Sequence, residues 1–310
     1  MNNNYKNKVY EWFASGNAHT LFPAELKEGY FLFADGSKLN IPTESNPFAT
    51  TWGKPDSLLL LDETNNPVPV SIMIKWLLVV ENKFYTVTED LPQKRMEELL
   101  SEINETTKRQ KYNHIIAGMA PYGRLAIWLS GTGITTEVAW LKAKDAEEST
   151  QQQGLPDKML FEQYMQKFNY RITPKFDDVN AAFHGIETAY FNGELNTTNS
   201  GEHEAYVMRA KPSKIALHWH IGKIRYSGYF WMDEKKMIEI FTNCYGNDSQ
   251  KEGNLLIEVG TSNNSFKFFL QDSSSMIEIP VEAIEIIVFK NKFEFFRSKN
   301  YSKPPQGWRN

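Results

Sequence analysis

The segment Ile74-Lys75-Trp76-Leu77-Leu78-Val79-Val80 alternates between apolar side chains on one face and mixed side chains on the other. The same alternation returns 141 residues later in Ile215-Ala216-Leu217-His218-Trp219-His220-Ile221. A period of two residues is typical of a half-buried strand. The match runs without gaps from residues 74–138 onto residues 215–279, which predicts that one structural unit occurs twice.

Outside this strand, the repeated pattern continues through further elements. Tyr85 aligns with Tyr226 on a second strand. Next comes a helical stripe, in which residues spaced i, i+3, i+4, i+7 are apolar: Met96, Leu99, Leu100 and Ile103 align with Met237, Ile240, Phe241 and Cys244. A later strand follows at 125–129 and 266–270. We therefore expect an α+β fold: two similar units of antiparallel sheet, each with a helix packed on one face, related by internal duplication.

The remaining segments are assigned by local pattern. Val9, Trp12 and Phe13 fit one face of a short helix, residues 58–61 fit a short buried strand, and residues 155–168 fit an amphipathic helix. Segments 42–56, 120–123 and 192–204 are predicted to be loops or turns. The charged and Gln-rich segment 142–154 is the best linker, which gives an N-terminal unit 1–141 and a C-terminal unit 155–310.

The composition restricts the class of protein. Apolar residues make up 41% and charged residues 23% of the chain, as in a soluble globular protein, and the net charge of -4 is spread without a basic stripe. We therefore expect no nucleic-acid partner. No apolar run reaches the length of a membrane span, and no export signal is recognisable at the N-terminus. The sequence therefore predicts a cytoplasmic protein or one that has already lost its export signal. The single cysteine, Cys244, lies on the helical stripe and is expected to be buried.

The sequence lacks the common catalytic motifs. It has no GxSxG elbow, Walker A loop, GxGxxG, HExxH or paired CxxC motif. We predict no cofactor and no catalytic residues. Asp233 and Glu234 stand together at a predicted helix start, where capping accounts for carboxylates without catalysis.

A weak metal-site candidate remains. His218 and His220 flank Trp219 on a strand, so both imidazoles point to one face and could bind a metal if a third ligand arrived from a neighbouring strand. The alternative is a strand that presents both histidines outward, opposite a buried Trp219.

Aromatic residues, at 14% of the chain, fit core and sheet packing, and they also suit a binding surface. In the stretch 226–231, alternation places Tyr229 and Trp231 on one face and Phe230 on the other. Because Tyr and Trp dominate interaction hot spots, we predict partner binding by Tyr226, Tyr229 and Trp231, with Tyr122 and Trp52 on loops at the rim.

Several segments resemble a bacterial family, domain of unknown function 2931 (DUF2931). The resemblance lies in Lys75-Trp76-Leu77 with 81–85, in Ile116-Ala117-Gly118-Met119-Ala120-Pro121-Tyr122-Gly123 with 126–131, in 225–231, in 289–294 and in 298–301. No catalytic residues carry over, because the family has none established. Many members resemble envelope lipoproteins, and some are encoded beside secreted antibacterial lipases or other toxins. The resemblance therefore implies a link to type VI secretion and an immunity role.

Three hypotheses follow. The first is a non-enzymatic immunity protein that binds and occludes a cognate toxin or effector, with a lipase as one candidate toxin. The second is a metal-dependent hydrolase or small-ligand-binding protein that uses His218 and His220. The third is an envelope-associated structural protein. The sequence leaves the partner's identity, the binding face, the stoichiometry and the oligomeric state open.

Overall fold

A computed structural model describes residues 8–43, 48, 52–55, 65–147, 158–200 and 205–298. Strands account for 58% and helices for 13%, and the sheets are mostly antiparallel. The class is therefore α+β or mainly β. The chain divides into two compact units, unit 1 at Met1–Phe161 and unit 2 at Glu162–Asn310.

Unit 1 contains one described helix and eleven described strands. The helix is α1 (Gln93–Leu100). The strands are β1 (Val9–Glu11), β2 (Phe13–Ala18), β3 (Ala24–Leu32), β4 (Lys38–Asn40), β5 (Asn65–Pro67), β6 (Ser71–Leu78), β7 (Lys83–Asp90), β8 (His114–Ala120), β9 (Arg124–Gly131), β10 (Ile134–Lys142) and β11 (Lys144–Glu147).

The strands of unit 1 form two main hydrogen-bonded runs and one short pair. The first run has the order β11-β7-β6-β3-β4 and is antiparallel throughout. The second has the order β2-β8-β9-β10, in which β2 pairs with β8 in parallel and the other pairs are antiparallel. The short pair joins β1 to β5.

Unit 2 begins within helix α2 (Lys158–Met165) and contains helix α3 (Glu234–Tyr245). Its described strands are β12 (Lys167–Phe176), β13 (Ala181–Tyr190), β14 (Leu195–Asn199), β15 (Val207–Ala210), β16 (Pro212–Ile221), β17 (Ile224–Met232), β18 (Gly253–Val259), β19 (Phe266–Gln271), β20 (Met276–Ile279), β21 (Ile284–Lys290) and β22 (Phe293–Arg297).

These strands also form two runs. One has the order β22-β21-β17-β16-β13-β14 and is antiparallel. The other has the order β15-β12-β18-β19-β20, in which β12 pairs with β18 in parallel. Both units therefore share one order of pairing. The run β21-β17-β16-β13-β14 corresponds to β11-β7-β6-β3-β4, and β12-β18-β19-β20 corresponds to β2-β8-β9-β10.

The inner faces of the two hairpins pack as the alternation predicts. Ile74 and Trp76 of β6 are fully buried, as are Ile215 and Leu217 of β16, while Trp219 is almost fully buried. Burial of such side chains contributes about 1.5–3 kcal/mol each before entropy is subtracted. Trp219 also donates its indole N–H to Asn263 Oδ1 at 2.8 Å. Both hairpins are thus held by their buried faces.

The helices cover apolar surface in each unit. Met96, Leu99 and Leu100 of α1 are buried. In α3, Phe241 and Tyr245 pack on Phe168, with ring centroids 5.2 and 4.7 Å apart. The helical stripe is therefore structural, and Cys244 is buried within it as predicted. Ile103 differs from the prediction: α1 ends at Leu100, and Ile103 is 47% exposed.

Several assignments from the sequence need correction. The segment around Trp12 is not helical but forms β1 and β2, because Tyr10 and Trp12 are buried with the two-residue period of a strand. The predicted sheets were antiparallel, yet β2–β8 and β12–β18 are parallel. The predicted strand at 58–61 lies outside the described residues.

The segments between the units also differ from the prediction. Residues Lys144–Glu147, predicted as linker, form β11 and pair with β7. The predicted helix 155–168 is shorter, since β12 begins at Lys167. Part of the predicted loop 192–204 forms β14. Among the described residues, none of the helices has the length and hydropathy needed to cross a membrane.

Candidate functional site

A groove lined by aromatic and cationic side chains lies on β16, β17 and β21, on the face turned away from the core of unit 2. Its volume is about 740 Å³. We call it the aromatic groove, and it is lined by Lys214, Arg225, Ser227, Tyr229, Trp231, Ile287, Phe289, Asn291 and Lys292. This volume lies within the range of ordinary ligand and anchor pockets.

Strand alternation and register assemble the aromatic groove. Phe230 is fully buried, whereas its neighbours Tyr229 and Trp231 are half-buried on the opposite face, as the sequence predicted. Antiparallel pairing sets Tyr229 opposite Ile287 and Ser227 opposite Phe289. Pairing with β16 sets Trp231 opposite Lys214. Residues distant in sequence thus meet on one surface.

The aromatic side chains in the groove are ordered by contacts with one another. Tyr229 stacks on Trp231 with centroids 6.0 Å apart, and Phe289 packs edge-on against Tyr229 at 5.8 Å. Lys214 Nζ lies 5.3 Å from the Tyr229 ring centroid and 5.5 Å from that of Trp231. These cation–π contacts and the stacking hold the rings in fixed positions, which lowers the entropy cost of binding.

The indole N–H of Trp231 is an unused donor in this groove. The Nε1 atom is shielded from solvent, and no acceptor among the described residues accepts a hydrogen bond from it. A shielded donor without a partner is unfavourable by about 1–3 kcal/mol, so an acceptor supplied by a ligand would be bound favourably there.

A second cavity adjoins the aromatic groove and is lined by histidines. Its volume is about 680 Å³, and His184, His218 and His220 all line it. Arg225 and Ser227 line both cavities, so the two lie side by side. His218 Nδ1 lies 3.0 Å from Ser227 Oγ. The prediction that His218 and His220 share a face is therefore confirmed.

The histidine cavity has local electrostatics but no metal-ligand cluster. Burial lowers the pKa of His218, although Glu187 opposes that shift, and the imidazole is therefore mainly neutral at neutral pH. Across the described parts of the chain, no three His, Cys, Asp or Glu side chains lie close enough together to hold a metal ion. The third ligand that a metal at His218 and His220 requires is not found there.

Two turns bring cations to the end of the groove. The turn after β16 carries Lys223, and the turn after β21 carries Lys292. The Asn291 side chain accepts the backbone N–H of Arg225 at 3.0 Å, which joins the two turns. Asn291 and Lys292 both have positive φ, of 48° and 74°. Lysine rarely adopts such a conformation, so the tight turn fixes Lys292 at its tip.

Two of the predicted partner-binding residues are buried and must be corrected. Tyr226 is only 7% exposed and stacks on Trp219, with centroids 5.4 Å apart. Gly228 and Phe230, two and four residues further along β17, are buried. Because side chains alternate between the faces of a strand, Tyr226 lies on the same core face. Trp52 is 5% exposed and packs edge-on against Trp128 at 4.7 Å, above Gly118. A side chain at Gly118 would collide with both indoles.

Tyr122 is half-buried and belongs to a polar clamp in unit 1. The buried Glu81 carboxylate accepts the Tyr122 backbone N–H at 2.9 Å and the Tyr85 hydroxyl. Lys142 Nζ donates to the Tyr122 carbonyl at 2.5 Å. Burial and the neighbouring Glu81 hold the pKa of Tyr85 well above its ordinary value. The clamp stabilises Tyr122 at a φ of 61°, a conformation that is unfavourable for tyrosine.

The other titratable clusters have structural roles. Asp233 caps α3 by accepting the Lys236 backbone N–H at 2.9 Å, which agrees with the capping interpretation. Burial opposes the ionisation of Asp272, but hydrogen bonds from Lys251 and Ser274 hold its pKa far below the ordinary value. Burial and the Asp272 charge raise the pKa of Cys244, so that thiol is a poor nucleophile.

Sequence reasoning identified Tyr229 and Trp231 but missed their neighbours. Lys214, Ile287, Phe289 and Lys292 lie on two other strands or their turns. The alternation in Ile284–Lys290 places Ile287 and Phe289 on one face, which was a usable signal. The local pattern does not predict which strand pairs with β17, because the pairing of strands depends on the whole sheet.

Comparisons with known proteins give one match. No curated protein and no solved structure is significantly similar to this chain. A family model described as "Protein of unknown function (DUF2931)" matches residues 1–189, which takes in unit 1 and the first two strands of unit 2. The segments 225–231 and 289–301 lie beyond the matched span. Because the match covers more than half of the sequence, the chain belongs to the DUF2931 family.

Proposed function

We propose that this chain is a non-enzymatic binding protein, an immunity protein that neutralises a secreted antibacterial toxin by occluding it, and that its docking surface is the aromatic groove. The observation that supports the proposal is the set of half-buried aromatic side chains, Tyr229, Trp231 and Phe289, on the face opposite the core. Aromatic anchors of this type provide most of the affinity at protein interfaces.

The chemistry of the groove favours docking over catalysis. Its polar groups are the lysine, arginine, serine and asparagine side chains, the Tyr229 hydroxyl and the Trp231 N–H, and its lining contains no carboxylate, cysteine or histidine. General acid–base chemistry at neutral pH requires a group that titrates near that pH. The toxin as partner comes from the family resemblance, and a lipase is one candidate because some relatives are encoded beside lipases.

Protection of cells is the direct test. The gene next to that of this chain, if it encodes a secreted effector, is expressed in a susceptible bacterium with and without the chain. We expect wild-type protein to restore growth and the double variant Tyr229→Ser, Trp231→Ser to fail. Loss of one hot-spot side chain typically weakens binding by at least 2 kcal/mol, or about 30-fold in Kd.

The matched control lies on the corresponding strands of unit 1. Leu77→Ser, Phe84→Ser alters half-buried apolar residues of β6 and β7 without touching the aromatic groove. This control should protect as wild type does. Full protection by the groove variant would contradict the proposal. Loss of protection in both the groove variant and the control, with both proteins folded, would contradict it as well.

Site-directed cross-linking tests the same surface without a known partner. A photoreactive phenylalanine analogue in place of Phe289 should cross-link an effector in native cells, whereas the same analogue in place of Phe84 should not. A cross-link to the same protein from both positions would contradict a groove-specific contact.

We also propose that the two units descend from one ancestral unit by internal duplication. The shared strand order, the two corresponding parallel pairs and the offset of 141 residues support this origin. Experimental coordinates in which β6, β7 and α1 do not superpose on β16, β17 and α3 would contradict it.

A further inference from the structure

We infer that the partner segment bound by this chain is acidic, with carboxylates placed beside an apolar anchor side chain; this inference rests on the proposed function. The surface has two parts, an apolar one at Tyr229, Trp231 and Phe289 and a cationic one at the adjoining turns. One ligand segment can contact both, because Arg225 and Ser227 line both cavities.

The cations at this end of unit 2 are not neutralised within the described residues. No ion pair joins a carboxylate there to Lys223, Arg225 or Lys292. Two carboxylates lie nearby, since strand pairing sets Glu285 opposite Trp231 and Glu294 opposite Phe289, and Arg297 contacts both of them, at 3.5 and 2.8 Å. Lys223, Arg225 and Lys292 outnumber the one carboxylate charge that Arg297 leaves uncompensated, so this end of a chain of net charge -4 should attract anions.

The groove is also rich in donors and poor in acceptors. The shielded Trp231 N–H meets no acceptor in the described parts of the chain, and Lys214 lies beside the same ring. On the histidine side, His218 Nδ1 faces Ser227, and Glu187 is the carboxylate that acts on His218. The groove lining itself has no carboxylate. A carboxylate of the partner can accept the Trp231 N–H, whereas a basic partner leaves that donor unmet and is repelled by the cations of the turns.

The inference is tested by ¹⁹F NMR of the full chain labelled with 5-fluorotryptophan. The chain has eight Trp residues, and Trp231→Phe identifies the Trp231 resonance by its loss. The probes are the peptides Ac-Glu-Glu-Phe-Glu-Glu-NH₂, Ac-Lys-Lys-Phe-Lys-Lys-NH₂ and Ac-Glu-Glu-Ala-Glu-Glu-NH₂. We expect the acidic Phe peptide to shift the Trp231 resonance with about tenfold higher affinity than the basic one, because three exposed charge pairs contribute.

Charge variants complete the test. Arg225→Glu with Lys292→Glu should abolish the response to the acidic peptide, and Arg225→Gln with Lys292→Gln should weaken it. Unchanged resonances of the other tryptophans report that each variant is folded. The effect should decline with added salt, since exposed charges are screened.

Three results would overturn the inference: equal responses to acidic and basic peptides, no response to the acidic peptide, or a response only to phosphatidylglycerol-containing vesicles, which would assign the cations to a membrane. The protection assay separates the two proposals. If the charge-reversed variant still protects cells and the Tyr229, Trp231 variant does not, the partner is not acidic but the proposed function stands.

Discussion

The outer faces of two corresponding hairpins, β6–β7 in unit 1 and β16–β17 in unit 2, differ far more than their inner faces. Inside, Trp76 and Trp219 are both buried beside a tyrosine. Outside, the positions of Tyr229 and Trp231 are taken in unit 1 by Thr88 and Asp90, which are exposed. Burial restricts the inner side chains, whereas the outer face is free to differ between the units.

The largest expected effect is a loss of stability when the buried tryptophan of either inner face is removed. Trp76→Ala and Trp219→Ala should each lower the free energy of unfolding by about 3–5 kcal/mol, because each opens a cavity in a packed core. Urea denaturation followed by far-UV circular dichroism measures this. A cost below about 1 kcal/mol in either variant would break the comparison, since it would mean that one inner face is not a core.

The main pH effect should come from His19 in unit 1, because its pKa is lowered further than those of His114 and His218. Burial lowers the pKa of His19 from 6.5 to about 4, and His19 Nδ1 accepts the Leu21 N–H at 3.1 Å. Between these pKa values the unfolded chain binds a proton that the folded chain does not. Stability is therefore complete above about pH 6.5 and declines as the pH falls towards 4, by on the order of 2–3 kcal/mol.

The variant His19→Gln serves as the control for this effect. It should reduce the decline between pH 6.5 and 4 in urea denaturation at a series of pH values, and the remaining decline should come from His114 and His218, whose pKa values burial also lowers. An unchanged slope in the variant would show that another group causes the pH dependence.

The helix starts give a medium effect. Asp233 caps α3 with its side chain, whereas Pro92 at the start of α1 provides no side-chain hydrogen bond. Asp233→Ala should lower the free energy of unfolding by about 1 kcal/mol. Pro92→Ala has no cap to remove, so its effect should be smaller. Equal losses in thermal denaturation would contradict this difference.

The smallest expected effect on stability comes from an ion pair between β7 and the edge strand β11 of unit 1. Lys83 Nζ lies 2.7 Å from Asp145 Oδ2, between β7 and β11, and both side chains are substantially exposed. Asp145→Ala should cost no more than about 0.5 kcal/mol, and the difference from wild type should vanish at high salt. A larger, salt-independent loss would mean that β11 depends on this pair.

Much of the fold was predictable because burial imposes a period on the sequence. The hairpins, α1, α3 and the buried position of Trp219 follow from alternation and helical spacing. The parallel strands β2 and β12 were not predictable, because their partners lie about 80–100 residues away and no local pattern specifies them. Trp12 was misassigned because a spacing of three residues fits a helix as well as an irregular strand.

The candidate site was only partly predictable for a related reason. Tyr229 and Trp231 were recognisable on one strand. Tyr226 was assigned to the same surface, although it is an odd number of residues from both and therefore lies on the opposite, core face. Trp52 was assigned to a rim, yet it fills the space above Gly118, a close contact that composition cannot reveal. Lys223, Arg225 and Lys292 meet only because Asn291 joins two turns.

The parallel pairing of β2 with β8 has a consequence for biosynthesis. Phe13 pairs with His114, so the N-terminal strand leaves the ribosome about 100 residues before its partner exists. At about 5–20 residues per second, that interval lasts roughly 5–20 s. During translation β2 therefore has no partner strand for this interval, and nascent chains of this protein should be clients of ribosome-associated chaperones.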